Sequence, residues 1–224
     1  MTTTAAALLL ALVASAEPSG GPSAAAGAAE GASDSGRFGS LLGAESLQGG
    51  SAAQAWAGFA SFGVAYGQGV TTQDDIGATL DFDWSATETV LSGFWRRPLG
   101  TIGTWQMAGR LSVGWYLNFG GTWIHSDNRG DRGIQLAPAL LLSTRAGDGL
   151  VSVSGELPLT FTTWRDGGFL LGPKVSAAYE TPLYDALTLG LRGALSWRGG
   201  GGSAPMRGGR VEPELLVVLG YRVF

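Results

Sequence analysis

The chain has 224 residues, a formal net charge of -4, no cysteine, 38 glycines and only 14% charged residues. These figures exclude a disulfide framework and a thiolate metal site, and without a basic cluster they argue against nucleic-acid binding. Charge this sparse is too little to coat a soluble domain, yet beyond the N-terminus no run of about eighteen apolar residues is available for a transmembrane helix.

Residues 1–16 read as a secretory signal peptide. Ala5 to Val13 is apolar, and Ala14, Ser15 and Ala16 match the small-residue cleavage rule. No Lys or Arg precedes Arg37, so the positive charge before the apolar run rests on the α-amino group, unless translation starts elsewhere. Residues 17–40 are Ser, Gly, Ala and Pro with almost nothing to bury, and predict a disordered linker. Residues 41–224 form the remaining domain, a succession of alternating segments.

A first strand is expected somewhere in 42–58, with Gly49 and Gly50 as a bend. In 61–71, Phe62, Val64, Tyr66 and Val70 oppose Gly63, Ala65, Gly67 and Gly69. After a turn at 72–74, Ile76, Ala78, Leu80, Phe82 and Trp84 oppose Gly77, Thr79, Asp81 and Asp83. Residues 89–97 are undecided, because Phe94 and Trp95 claim opposite faces, and 98–103 is expected to turn the chain.

The clearest stretch is 105–119. Trp105, Met107, Gly109, Leu111, Val113, Trp115, Leu117 and Phe119 alternate with Gln106, Ala108, Arg110, Ser112, Gly114, Tyr116 and Asn118. Period two means a strand. At about 3.3 Å per residue and a tilt of roughly 45°, such a strand crosses a bilayer's hydrocarbon core, with Trp105 and Trp115 near its two edges.

A polar loop at 125–132 follows. In 134–144, Ile134, Leu136, Leu140 and Leu142 point one way, and Gln135 and Arg145 the other. A tight turn at 147–149 leads to 151–163, then 169–179, 187–197 and, after a glycine loop at 199–209, a closing strand at 211–223 with Leu215, Val217, Leu219 and Tyr221 on its apolar face. The count is about ten strands, with eight as the alternative, and predicts an all-β, antiparallel up-and-down transmembrane β-barrel. Pro138, Pro158, Pro173 and Pro213 fall inside these strands, each removing a ladder donor, and are expected at bulges or beyond the bilayer.

If the last strand descends, Trp84, Phe161, Phe169 and Trp197 fall at the upper rim, and Tyr66, Trp105, Tyr179 and Tyr221 at the lower, giving two aromatic belts. Asp81, Asp83, Arg110, Arg145, Glu156, Lys174, Glu180, Arg192, Glu212, Glu214 and Arg222 point inward. Asp81, Arg110, Glu156, Lys174 and Arg192 share one mid-barrel height with mixed signs. The expectation is a network of paired charges filling a narrow lumen; a polar conduit or ligand site is the alternative.

Other motifs carry little chemistry. His125, the only histidine, precedes Ser126, Asp127 and Asn128. Adjacent residues on an extended chain point opposite ways, which places His125 and Ser126 poorly for proton transfer. Asp81 and Asp83 are about 7 Å apart on one face, and are better read as answering Arg residues on neighbouring strands than as a catalytic pair. Arg129-Gly130-Asp131 is a tripeptide that recurs by chance, and Gly199–Gly202 lacks the Lys-Ser/Thr of a phosphate loop.

With these features the chain resembles bacterial outer-membrane β-barrel proteins of the small, Gly/Ala-rich type. The resemblance is architectural and spans 41–224. Its most specific feature is the end of the chain, an apolar alternation finishing in Phe224. Phe224 matches the terminal aromatic of that class, whereas Leu219 and Tyr221 have the opposite parity to the class pattern. The resemblance implies export by the signal peptide and residence in a Gram-negative outer membrane. It implies outer-membrane lipids as partners, and barrel-insertion machinery reading Phe224. No cofactor, metal or catalytic residue is expected. The implied role is structural or a porin-like small-solute conduit; the alternative is an outer-membrane hydrolase acting on lipid or peptide near His125, because some lipid-A deacylases carry a similar His/Ser/Asn grouping. Oligomeric state is left open.

Overall fold

The computed structural model describes residues 38, 41–121, 124, 130–163, 167–202 and 209–223, none of them helical. The expected signal peptide, nearly all of the expected linker, the His125 segment and Phe224 lie outside the described residues.

Twelve strand segments make one antiparallel sheet. They are β1 (Ser51–Phe59), β2 (Ser61–Gly69), β3 (Asp75–Asp83), β4 (Glu88–Ile102), β5 (Trp105–Asn118), β6 (Asp131–Ala146), β7 (Gly149–Glu156), β8 (Leu159–Thr162), β9 (Gly168–Leu171), β10 (Lys174–Tyr184), β11 (Leu187–Gly202) and β12 (Arg210–Val223). β7 and β8 both pair with β6 and are two halves of one stave, and β9 and β10 both pair with β11 and are halves of another. Twelve segments less two therefore leave ten staves. β1 pairs with β12 from Ser51↔Val223 to Phe59↔Leu215, which closes the sheet into a barrel and leaves no free edge.

Alternation decides which side chains enter. In β12, Glu212, Leu216, Val218, Gly220 and Arg222 are buried, while Val211, Leu215, Val217, Leu219 and Tyr221 are exposed. β5 alternates in the same way: Ala108, Ser112, Tyr116 and Asn118 are buried, and Leu111, Val113 and Trp115 are exposed.

The first stave, expected somewhere in 42–58, is Ser51–Phe59. Residues 41–47 do not alternate and lie within the lumen. The undecided segment 89–97 belongs to β4, with Phe94 inside at 6% exposure and Trp95 outside at 42%. β4 also runs past Pro98 to Ile102, where a turn had been expected. It absorbs Pro98 through a register shift between Pro98 and Gly100, and Gly100 takes a φ of 124° there. The hairpin turn falls at Gly103 (φ 60°) instead, a conformation that glycine adopts at no steric cost.

The prolines explain the broken staves. Pro158 separates β7 from β8, and Pro173 separates β9 from β10. The carbonyl of Pro138 accepts Leu157 N–H, that of Pro158 accepts Gly172 N–H and that of Pro173 accepts Trp197 N–H, each at 2.9 Å. The three prolines thus form a seam across neighbouring staves, where each keeps its acceptor and lacks its donor. Pro213 pairs with Leu195 beyond the last residue of β1, so its missing N–H faces no neighbouring stave.

Both chain-terminal ends of the wall, Ser51 and Val223, lie at one mouth, here the lower. The connections there are short, at 70–74, 103–104, 147–148 and 185–186. At the upper mouth the long connection 119–130 contrasts with the single residue Ala60.

Candidate functional site: a plugged, charge-lined lumen

The lower part of the lumen is filled by the chain's own segment 41–47. Leu41 and Leu47 pack in a cluster with Ala52, Trp56, Ala65, Phe94, Leu216 and Val218 on the inner wall. Ala44 packs on Ala108 and Leu141. A backbone without secondary structure needs partners for its polar groups, and the staves supply them. Gln54 Oε1 accepts Leu41 N–H at 2.8 Å, and Ser143 Oγ accepts Ala44 N–H at 3.0 Å. Arg222 donates to the carbonyls of Phe38, Ser46 and Leu47 at 3.3, 3.4 and 3.1 Å.

The strongest anchor is a fully buried ion pair. Arg96 and Asp75 are 1% and 0% exposed, with Nη2 to Oδ2 at 2.9 Å. Arg96 Nη1 also donates to Gly43 O at 2.9 Å, while Asp75 Oδ1 accepts Leu47 N–H at 3.0 Å and Ser46 Oγ–H at 3.2 Å. One pair on the wall thus grips both arms of the plug. The segment enters the wall through Gly49 (φ 91°), and a Cβ on Gly69 would lie 2.4 Å from Gly49 N, so only glycine fits that contact. Phe38 is buried, with the Arg145 guanidinium 4.4 Å above its ring.

At mid-height the lumen holds a cavity of about 190 Å³, floored by Leu41 and Leu42 of the plug. Lys174 Nζ lies 2.6 Å from Glu214 Oε1, and Arg110 Nη2 lies 3.3 Å from Glu156 Oε2. Asp81 Oδ2 accepts the Trp56 indole N–H at 3.0 Å. Arg192 lines the same cavity.

Near the upper mouth, Arg198 is the hub. It pairs with Glu88, with Glu212 at 3.1 Å and with Asp83 at 3.7 Å. Glu88 Oε1 further accepts Tyr116 O–H at 2.8 Å and Asn118 Nδ2–H at 2.9 Å. Arg210 pairs with the other oxygen of Glu212. Carboxylates held this way are compensated by guanidinium groups and donors, as burial requires.

The predicted inward residues therefore occupy three levels. Asp81, Arg110, Glu156, Lys174, Arg192 and Glu214 come together around the central cavity, and Asp83 joins the upper hub. Arg145 reaches Glu45 of the plug at 3.8 Å, near the lower mouth, rather than another strand. Asp81 and Asp83 were expected to answer Arg residues on neighbouring strands; Asp83 instead meets Arg198 of β11, which does not pair with β3, and Asp81 takes the Trp56 indole. Sequence reasoning missed Asp75, Glu88, Arg96 and Arg198, and missed the plug.

The outer face is the converse. Trp115, Phe161, Phe169, Tyr179, Trp197 and Tyr221 are 43–55% exposed, whereas Trp105 is half-buried and Trp84 packs edge-on against Phe59, their ring centroids 5.9 Å apart. Trp84, Trp115, Phe161, Phe169 and Trp197 lie toward the upper mouth; Tyr66, Trp95, Trp105, Tyr179 and Tyr221 lie toward the lower. Between them the outward residues are Leu80, Leu91, Val113, Leu140, Val153, Leu191, Val217 and their like. Arg97 and Arg132, the outward-pointing charges of the described strands, lie at the rims.

Among the described residues no three His, Cys, Asp or Glu side chains are placed to hold a metal ion. Comparison with protein-family models, with curated proteins and with solved structures finds no match.

Proposed function

We propose that the chain is an integral β-barrel of a bacterial outer membrane with a structural role in the envelope, its lumen closed at rest by its own segment 41–47. The observation that carries this reading is the segregation of the two faces. The outward band is apolar across its middle and aromatic toward both mouths, while the strand charges between the rims point inward. An Arg or Lys facing lipid at the bilayer midplane costs about 2–4 kcal/mol, so the pattern suits lipid outside and a polar network inside. A water-facing barrel would show the opposite arrangement.

The closed lumen favours the structural role over an open porin-like path. The plug, the central ion pairs and the Arg198 hub lie in series along the axis, and a barrel of this size is ordinarily filled by its own side chains. A conduit for small solutes requires the plug to move. The protein is expected to fractionate with the outer membrane, and the purified, refolded barrel is expected to give no conductance steps above background in a planar bilayer. Steady open-channel steps from the intact chain would contradict the closed resting state, and recovery in the soluble fraction would contradict the membrane location.

A further inference from the structure

Between the plug and the wall of β5, β6, β7, β10 and β11 lies a second, smaller cavity of about 30 Å³. Its polar side chains are Arg110, Arg192, Ser152, Ser154 and Ser176, and Leu42 of the plug closes one side. Among the described residues no carboxylate lines it.

The two guanidinium groups are incompletely used. Arg110 gives Nη2 to Glu156, but its Nε is enclosed without an acceptor. Arg192 makes no ion pair among the described residues, and its Nε is likewise enclosed without an acceptor. A buried N–H on a charged group that lacks an acceptor is costly. Ser154 Oγ and Ser176 Oγ lie 2.7 Å apart. One hydroxyl donates to the other, which leaves the second hydroxyl's proton free for an acceptor. Positive charge and a spare hydroxyl proton sit beside one small space whose lining holds no carboxylate.

We infer that this cavity is a binding site for one small inorganic anion of about chloride size. A single atomic anion accepts hydrogen bonds from every direction and gives Arg192 a close counter-charge, where Asp81 and Glu214 reach it only at longer range. A water molecule compensates no charge. A space that holds about two waters excludes phosphate esters and carboxylate metabolites. The inference goes beyond the structural role and rests on the lumen's geometry, not on where the barrel resides, so the two fail separately.

The test uses the full chain, refolded in detergent micelles and titrated with chloride at constant ionic strength against gluconate, an anion too large to enter. The readout is the ³⁵Cl NMR linewidth. The native chain is expected to broaden the line saturably. Arg192→Gln should weaken that binding at least about tenfold, and Ser176→Ala, which removes one neutral donor, about threefold. Arg97→Gln, at the outer rim, should leave it unchanged. Absence of saturable broadening in the native chain overturns the inference, as does undiminished broadening in Arg192→Gln. Should that variant fail to refold, undiminished broadening in Ser176→Ala overturns it instead.

Discussion

Residue scale shows most directly what a closed lumen demands. Arg96 and Asp75 have no access to water and hold one another and both arms of the plug. Removing one partner of such a pair leaves a charge buried alone, at a cost of about 3–5 kcal/mol, whereas replacing both by apolar groups is far milder. Arg96→Leu and Asp75→Leu should therefore each destabilise strongly, and the double variant should recover much of the loss in a urea unfolding cycle. Additive losses would mean that the pair does not act as a unit. At the lower rim, Asp74 is half-buried and accepts two bonds from Arg97, at 2.7 Å each, and one from the Trp95 indole at 2.8 Å. The Arg97 hydrogen bonds hold its carboxyl below the ordinary value of 3.8, at about 2. A depressed carboxyl stabilises the fold above its unfolded pKa, and that contribution is lost as pH falls from about 3.8 through about 2. An NMR titration of Arg97→Gln should return Asp74 toward 3.8, and an unmoved midpoint would assign the shift to another group.

Element by element, period-two patterning made most of the barrel readable. Wherever Gly, Ser and Thr alternated with Leu, Val and aromatics, the strand and its inward face followed, as in β5 and β12. The same parity, carried further, reaches the missed residues. Asp75 continues the Gly77, Thr79, Asp81 face, Arg96 shares the parity of Ser92 and Phe94, and Arg198 that of Arg192 and Ser196. Arg96 was missed because the faces of 89–97 were undecided, and Asp75 and Arg198 because each lies one residue outside a strand drawn from Ile76 or ending at Trp197. The plug was not legible for a different reason. Residues 41–47 have no period, and their place is set by partners as distant in sequence as Ser143 and Arg222. The proline seam was visible as three of the four strand prolines but not as a seam, because the alignment of Pro138, Pro158 and Pro173 depends on register between staves. The plug also makes a prediction of its own. Deleting 38–50 removes the floor of the central cavity and the groups that Arg96 and Arg222 hold. The shortened barrel is expected to give small conductance steps in planar bilayers where the intact chain gives none. Equal silence from both would show that the central ion pairs and the Arg198 hub close the lumen without the plug.

Taken whole, the molecule inverts the arrangement of a soluble domain, with charges and hydroxyls enclosed and an apolar belt turned out. That inversion is what supports the proposal of a bilayer location. The native chain has no cysteine, so single cysteines carrying nitroxide labels can be introduced without background. The most direct measurement compares outward positions 113, 191 and 217 with inward positions 112 and 176 in reconstituted vesicles. Labels at Val113, Leu191 and Val217 should relax readily with oxygen, which concentrates in lipid, and hardly at all with a water-soluble nickel chelate. Labels at Ser112 and Ser176 should be poorly reached by either. Ready access of the nickel chelate to Val113, Leu191 and Val217 would contradict the account.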